Sequence, residues 1–483
     1  MSNTVDATEA NISQNVLAVD LDGSLIKTDL LYESFMLLIK QRLWMVFFVP
    51  FWLLKGKVYV KHQIAQHIDF DPEGIPFNQR VIDEIEQVKA QGRECVLVTG
   101  SVDTLAQKIA DCIGLFDKVF ASTLGEKNLT GHKKAQFLAD TYGEKGFDYI
   151  GNSSVDLPVW EKSREAIVVS SDKRLYEKAS QLTTASWFEM PKVNAKTVLK
   201  AIRIHQWVKN VLLFVPLLTS HQVLHWDLLW HCLLGFVAFS LAASSVYVLN
   251  DLMDLASDRQ HATKKRRPFA SGALSIKFGV FLFPLLLAGS ALICLLLPLP
   301  FFYALLVYYA ITVFYSFSFK QIMLLDVITL AVLYTMRIIA GVVLIEVPFS
   351  PWLLAFSIFI FLSLALVKRY VELVKLALSG KEKTAGRGYV ASDSPIIAAL
   401  GCAAGFIGVL VLALYVNSSQ VVELYAHEEF LWVACVILLY WISRMWLLAH
   451  RGEMDDDPIF FAIKDKASLI TAVLVFAVFV MAI

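Results

Sequence analysis

Charge is scarce in this sequence. Only 18% of its 483 residues are Asp, Glu, Lys or Arg, against about 25% in a soluble domain. The 43 Lys and Arg equal the 43 Asp and Glu, so the basic excess of a general nucleic-acid binder is missing and no nucleic-acid partner is expected. Cysteine is sparse and scattered: Cys95, Cys112, Cys232, Cys294, Cys402 and Cys435, with no CxxC. That excludes a disulfide framework and a structural zinc site of ordinary spacing. The opening stretch MSNTVDATEANISQN has neither a basic nor an apolar region of the kind a signal peptide needs, so the first half is expected to stay in the cytoplasm.

Apolar residues are abundant instead, at 57% of the chain, with a mean hydropathy of +0.58. An ordinary soluble enzyme, a disordered chain and a fibrous protein are all excluded. The excess is uneven. The first 190 or so residues mix charged helical stretches such as VIDEIEQVKAQG with short apolar runs such as VLAVD and ECVLVTG. Beyond about residue 207, nine apolar runs approach the length needed to cross a bilayer: 207–222, 227–249, 273–297, 299–318, 323–345, 351–369, 395–417, 429–449 and 466–483. The loops 220–226, 298–300, 346–350 and 418–429 contain no Lys or Arg, whereas 192–209, 251–272, 368–393 and 444–466 are rich in both. The positive-inside rule puts the basic set in the cytoplasm. Nine crossings then leave the C-terminus outside an inner, cytoplasmic membrane of bacterial type.

One apolar run falls in the first half: 43–54, LWMVFFVPFWLL, followed by Lys55, Lys57 and Lys61. It is too short to span and contains Pro50. Two readings stand: a buried helix of a cap subdomain, or a cap face resting on the bilayer, where Trp and Phe favour the interface.

Four segments of the first half carry chemistry. The run VLAVD ends in Asp20-Leu21-Asp22-Gly23, two carboxylates at the end of a buried strand, where α/β sheets bind ligands. ECVLVTGS ends in Thr99-Gly100-Ser101, GHKKAQFL presents Lys133 and Lys134, and DYIGNSSVD ends with Asn152 and Asp156. In this order the segments resemble the haloacid dehalogenase-like (HAD) phosphohydrolases, over residues 15–170. The resemblance implies an α/β Rossmann-type domain with a helical cap at about 26–90. It makes Asp20 the nucleophile and Asp22 the general acid and base. Thr99 would bind phosphate oxygens, and Lys134 rather than Lys133 would neutralise charge. Asp20, Asp22, Asn152 and Asp156 would hold Mg²⁺. The family usually has Asp where this chain has Asn152, which lowers the negative charge at the metal. Both an active phosphatase and a degenerate, regulatory domain fit these residues.

The second apolar run ends in Asn250-Asp251-Leu252-Met253-Asp254-Leu255-Ala256-Ser257-Asp258-Arg259, with His261 and the basic run Lys264-Lys265-Arg266-Arg267 after it. Carboxylates spaced i, i+3 and i, i+4 share a helix face and repel unless a cation sits among them. Mg²⁺ with a diphosphate is a natural occupant. The NDxxDxxxD stretch resembles the UbiA superfamily of intramembrane prenyltransferases, over residues 200–483. That implies an all-α polytopic membrane domain of nine helices at 203–483. Residues 171–202 are expected as a linker with an interfacial helix, and 1–14 as a flexible N-terminus. Asp251, Asp254 and Asp258 would be catalytic metal ligands.

The aromatic prenyltransferases of that family carry a second Asp pair after the fourth to fifth helices. Here Leu330 stands four residues after Asp326, so DxxxD is absent. Basic residues recur instead: Lys320 after Tyr315, Arg337 inside an apolar helix, and Lys368-Arg369-Tyr370-Val371-Glu372. An ionisable residue within a span is expensive and presumptively functional. These stretches, and more weakly Asp455-Asp456-Asp457-Pro458, look like the decaprenyl-phosphate phosphoribosyltransferase branch. Its substrates, a polyprenyl phosphate and 5-phosphoribosyl diphosphate, bring three phosphate-bearing groups. Asn250, Arg259, His261, Lys265, Arg267, Tyr315, Lys320, Arg337, Lys368 and Arg369 are the candidates to bind them. The phosphatase domain would then remove the 5-phosphate of the lipid product. Two alternatives remain at this point: prenyl transfer from a polyprenyl diphosphate to an aromatic or other small acceptor, and a transporter with a regulatory HAD module.

Overall fold

In the computed structural model, which describes residues 15–124, 129–380, 382, 387–418, 421, 424–454 and 457–483, the apolar runs of the first half become one parallel sheet. Its strands are β1 (Val16–Val19), β2 (Cys95–Val102), β3 (Lys118–Ser122), β4 (Phe147–Gly151), β5 (Glu165–Ser170) and β6 (Thr184–Glu189), ordered β3-β2-β1-β4-β5-β6. Central β1 is buried throughout, as a parallel strand covered on both faces must be. Side chains alternate across a strand. Leu17 and Val19 therefore join a core with Val81, Ile85, Leu105 and Ile109, while Val16 and Ala18 join another with Leu138, Trp160 and Leu175.

Two expected boundaries move. β6 pairs along β5 from Thr184 to Glu189, so the α/β domain runs past 170 and 171–202 is not a linker. A helix at Ala195–Ala201 follows it. The expected cap of 26–90 is too long. The helix Gln79–Ala90 buries Val81, Ile85 and Val88 in the core under the sheet. The cap is closed at its base by bonds from Lys27 N–H to Pro76 O (2.8 Å) and from Asn78 N–H to Leu25 O (2.9 Å). Between these lie the helices Leu30–Gln41, Val49–Leu54 and Lys57–Gln66, with a tight turn of helix at Leu43–Phe48.

The chain divides into two units: Met1–Arg203 with Tyr247–Pro284, and Ile204–Val246 with Leu285–Ile483. The sequence placed all of 203–483 together, but the acidic loop belongs with the α/β domain. The expected flexible segment 1–14 lies outside the described residues, as do Asp455 and Asp456.

Among the described residues seven helices are long and apolar enough to cross a membrane: Trp226–Met253, Ile276–Cys294, Leu299–Phe317, Leu325–Leu344, Pro351–Leu378, Ala391–Val416 and Glu428–His450. An eighth span is a pair, Pro458–Lys464 and Lys466–Ala482, bent by 83°. Asp465 makes the bend: it caps the second helix through Ser468 N–H (2.9 Å) and holds Arg444 at 2.5 and 3.0 Å. The expected ninth span, 207–222, is a tight helix at Ile204–Phe214 followed by a short one at Val215–Thr219, whose second residue is Pro216. It packs close, since a Cβ on Gly341 would stand 2.2 Å from Leu213 O. Seven or eight spans replace the nine expected, and the placement of the C-terminus outside rested on nine.

Gly401 tests the packing of this bundle. A Cβ there would lie 2.0 Å from the Trp446 ring, whose Nε1 is fixed by a 3.1 Å bond to Ser363. Gly401→Ala is expected to destabilise by about 1–3 kcal/mol, read as a lower thermal midpoint of the full chain in detergent. Gly289→Ala is the control, since its Cβ would meet nothing closer than 3.6 Å.

Candidate functional site

The first group of candidate residues stands at the C-terminal edge of the sheet. Asp20 follows β1, and Lys134 Nζ donates to its Oδ1 at 2.6 Å. Lys133 is exposed and Lys134 buried, so the helix His132–Tyr142 presents the second lysine, not the first. Gly23, at φ +76°, turns the chain back beneath Asn152, whose Nδ2 lies 2.0 Å from where a Cβ would be. Only glycine fits there, and Asn152 is thereby pressed against the Asp20–Asp22 loop. Asp22 accepts from the Ser101 hydroxyl at 2.6 Å and from Leu30 N–H at 2.7 Å. Thr99 is fully buried and accepts from Ser101 N–H at 3.0 Å. Asp156 is engaged by its own loop and by Tyr149. Its Oδ2 accepts from Asn152 N–H (3.1 Å), Ser153 N–H (3.0 Å) and the Ser153 hydroxyl (3.1 Å), which makes it the clip of the loop. Its Oδ1 accepts from Tyr149, which in turn receives a bond from Lys134 at 2.8 Å.

Burial dominates the electrostatics of this group. Burial pushes the Asp20 carboxyl up to about 7, with Lys134 opposing and Asp156 adding to the rise. Burial also works against the Lys134 ammonium, yet Asp20, Asp156 and Asp22 outweigh it and hold that ammonium above its ordinary value. An ammonium 2.6 Å from one carboxylate oxygen favours the ion pair, so we take Asp20 as the anion.

The second group lies in the acidic loop. The spanning helix Trp226–Met253 kinks at Asp254 and continues as Leu255–Gln260, with Asp254 N–H still donating to Asn250 O (2.9 Å) and Asp258 N–H to Asp254 O (2.8 Å). The kink changes the pairing expected from i, i+4 spacing. Asp251 and Asp258 converge: Arg267 Nη1 reaches the first at 3.1 Å and the second at 2.6 Å, and Arg203 reaches Asp251 at 2.5 Å. Burial raises the Asp258 carboxyl, and Arg267 pulls it back. Asp254 lies apart, 3.8 Å from Lys40. Arg259, expected on a substrate phosphate, is committed elsewhere. It donates to Ala270 O at 3.1 Å and pairs with Glu33 out of solvent. Removing one partner of such a pair costs ~3–5 kcal/mol, so this guanidinium is a strut. His261 is exposed and receives Thr263 N–H at 3.3 Å, and Lys265 is exposed.

The third group is inside the second unit. Arg337 is buried in Leu325–Leu344, donating to Asn210 Oδ1 (2.9 Å), Leu333 O (2.6 Å) and Tyr308 OH (2.9 Å). Its guanidinium also lies 5.4 Å from the Phe239 ring and 4.9 Å from that of Tyr308. Among the described residues no carboxylate pairs with it. Arg369, by contrast, faces carboxylates: it lies 2.6 Å from Asp326 and pairs with Glu372, while Tyr389 donates to Asp326 at 2.6 Å. Lys209, which sequence reading passed over, reaches Asp457 at 2.5 Å. Burial opposes the Asp457 charge, but Lys209 and Lys368 outweigh it and hold the carboxyl below its ordinary value. Lys368, Tyr315 and Lys320 are half-buried.

Among the described residues no three His, Cys, Asp or Glu side chains gather as a metal site. Mg²⁺ asks for less, since it keeps waters and takes one or two carboxylates with phosphate oxygens. Asp251 and Asp258 already meet on one cationic group, Arg267 Nη1, so the acidic loop fits such an ion. Asp20 with the amide of Asn152 fits one at the sheet edge, and Asp156 contributes by fixing that loop. Besides Lys209, the residues missed from sequence are Tyr149, Ser101, Arg203 and Glu33. Ser101 and Tyr149 stand within the TGS and DYIGNSSVD stretches but were given no role there, while Arg203 and Glu33 stand in no motif and are brought in by the tertiary fold.

The profile of the haloacid dehalogenase-like hydrolases matches residues 17–161, and that of the UbiA prenyltransferase family matches 211–470. An uncharacterized protein, y4nM, of Sinorhizobium fredii is 37% identical over 472 residues, 96% of this chain and 90% of that one. The nodulation protein NoeC of Azorhizobium caulinodans is 40% identical over 280 residues, 58% of this chain and 91% of its own. The decaprenyl-phosphate phosphoribosyltransferase of Mycobacterium tuberculosis is 38% identical over 184 residues, 36% of this chain and 60% of that enzyme. With its apolar helices and its matched profiles, this chain is an integral membrane transferase of the UbiA prenyltransferase family, fused to a haloacid dehalogenase-like domain.

Proposed function

We propose that the chain moves 5-phosphoribose from 5-phosphoribosyl diphosphate to a polyprenyl phosphate, and that its HAD domain then removes the 5-phosphate. The observation that carries this reading is Arg337. A guanidinium buried in a spanning helix, and met among the described residues by an amide, a carbonyl, a phenol and aromatic rings but no carboxylate, leaves a positive charge for an anion to neutralise. A lipid phosphate is such an anion, whereas the neutral acceptor of an aromatic prenyltransferase is not. Asp326 supports the same choice, because Arg369 and Tyr389 hold it where a second metal-binding acid would be wanted. The partial similarity to decaprenyl-phosphate phosphoribosyltransferases agrees.

In the transfer step an oxygen of the lipid phosphate attacks ribose C1. The bond from C1 to diphosphate breaks, and the diphosphate leaves with its electron pair. Mg²⁺ held by Asp251 and Asp258, with Asp254, would supply charge neutralisation to that leaving group. Arg203 and Arg267 stand beside these acids as further cations for it. Within the second unit Lys209, Lys368, Tyr315 and Lys320 are polar groups suited to phosphate oxygens. Positioning and neutralisation supply most of the rate.

In the trimming step Asp20 attacks the 5-phosphorus, with Lys134 beside it. Asp22 gives its proton to the departing ribose oxygen, and water then frees the phosphate from Asp20 while Asp22 takes the proton back. The substrate is tethered to lipid, and the cap carries a face suited to meet one. Leu43, Trp44, Phe47, Phe51, Leu53 and Leu54 are all exposed, which removes the buried-helix reading of 43–54. Lys55 and Lys57 flank this face. Lys61 turns inward and donates to Gly100 O at 2.8 Å. In our reading the face rests on the cytoplasmic leaflet of a bacterial inner membrane, with the acidic loop on the same side.

With the full chain in nanodiscs, Mg²⁺, a polyprenyl phosphate and radiolabelled phosphoribosyl diphosphate, label should enter the lipid phase. Asp254→Ala should reduce this by ~10–100-fold, as loss of a metal ligand or its support does. Label appearing only with a prenyl diphosphate donor and a small acceptor would instead make the chain a prenyl transferase. Arg337→Met should raise the KM for lipid phosphate and leave that for phosphoribosyl diphosphate in place. Asp20→Asn should leave lipid labelling intact and stop release of inorganic phosphate; release at the wild-type rate would refute trimming by this domain. Phe47→Ser with Phe51→Ser should slow phosphate release from the lipid product but not from a soluble phosphate ester.

A further inference from the structure

One helix touches both candidate sites of the first unit. Leu30–Gln41 begins at the phosphatase site: Asp29 caps it by accepting from Leu31 N–H at 3.0 Å, and Leu30 N–H donates to Asp22 at 2.7 Å. Within its first turn it presents Glu33, only 4% exposed, to Arg259 of the acidic loop. In its last turn Lys40 stands 3.8 Å from Asp254. Just ahead of the helix, Gly272 of the acidic loop lies against the chain at Lys27. A Cβ there would be 2.7 Å from Lys27 Cβ and 3.0 Å from its carbonyl oxygen, and φ is +73°.

Lys40 is half in solvent, and a pair of that kind contributes little. Glu33 and Arg259 are both shielded, and Arg259 joins two parts of the loop. Its Nε binds Ala270 O while its Nη2 binds Glu33. Ala270 follows Arg267 by three residues, and Arg267 is the group on which Asp251 and Asp258 converge. A path of side-chain bonds joined by one short stretch of loop, 267–270, therefore leads from a cap residue of the phosphatase to the acids of the transferase.

We propose that Glu33, carried by the phosphatase cap, is a positioning residue of the transferase, which through Arg259 holds the acidic loop in the shape that takes Mg²⁺ and diphosphate. This rests on the reading of that loop given above. It gives the HAD domain a second duty, independent of its own chemistry.

The test uses the full chain in nanodiscs. Glu33→Gln should raise the Mg²⁺ concentration needed for half-maximal transfer by ~10–100-fold, the range found for groups that orient metal ligands. It should also speed hydrogen exchange across residues 254–275, while hydrolysis of p-nitrophenyl phosphate stays at the wild-type rate. Arg259→Glu alone should resemble Glu33→Gln, and combining it with Glu33→Arg should recover part of the Mg²⁺ response. Wild-type exchange and a wild-type Mg²⁺ response in Glu33→Gln would overturn the proposal. So would equal loss of both activities together with a lowered thermal midpoint and no recovery in the swapped pair. Should the wild type accept only a prenyl diphosphate donor, the same Mg²⁺ comparison is made with that donor. Faster exchange and a raised Mg²⁺ requirement would then uphold Glu33 while the phosphoribosyl reading falls. The exchange measurement needs no substrate and decides the matter by itself if neither donor reacts.

Discussion

A charge removed from water has to be met by another charge or by several hydrogen bonds, and this chain is organised around that requirement. In the α/β domain Asp148 of β4 sits between Arg93 and Arg164, and Asp20 faces Lys134. In the helical unit Asp326 is enclosed by Arg369 and Tyr389, and Asp465 holds Arg444 at the bend. The pairs at Asp148, Asp326 and Asp465 are structural, since neither partner can turn away without stranding the other, whereas Asp20 and Lys134 stand at the sheet edge where chemistry is proposed. The exceptions mark the places where chemistry is expected. Among the described residues Arg337 is met by neutral groups alone, and Asp251 and Asp258 converge on Arg267, with Arg203 also on Asp251.

That distinction explains which parts of the site were visible in the sequence. Asp20, Asp22, Thr99 and Lys134 could be read because each stands at the end of a short apolar run or at a fixed place in a motif, and the strand carries it to the sheet edge. The choice between Lys133 and Lys134 needed only the helix phase. Arg259 and Arg369 were legible as cations near phosphate chemistry, but not their commitment to Glu33 and Asp326, since these pairs join residues far apart in sequence. Asp156 was legible as an acid of the last motif; its duty as a loop clip depends on backbone N–H groups that no residue pattern reports.

The architecture was legible to the same depth. Hydropathy placed most spanning segments, because twenty apolar residues in a row have few other uses. It failed at 207–222, where Pro216 and tight turns break an apolar run; at the last span it found the helix Lys466–Ala482 but not the short helix before it, across a bend made by one capping aspartate. The α/β domain was ended at 170, before β6, because TASWFE is mixed in character and declares itself only by pairing with β5. The cap was overdrawn because Gln79–Ala90 has the charge of a surface helix on one side and a Val-Ile-Val stripe on the other.

The discontinuity of the first unit bears on how the chain is made. Its sheet is complete by Glu189, but Tyr247–Pro284 also belongs to it. Chains fold from the N-terminus as they emerge from the ribosome, so the sheet is finished before the loop that docks on its cap has been synthesised. Between those events the helix Trp226–Met253 has to enter the bilayer. Until then Glu33 is a carboxylate without its guanidinium, and the cap is a soluble surface. Membrane insertion is thus a step in completing a domain that, judged by its strands alone, had already folded.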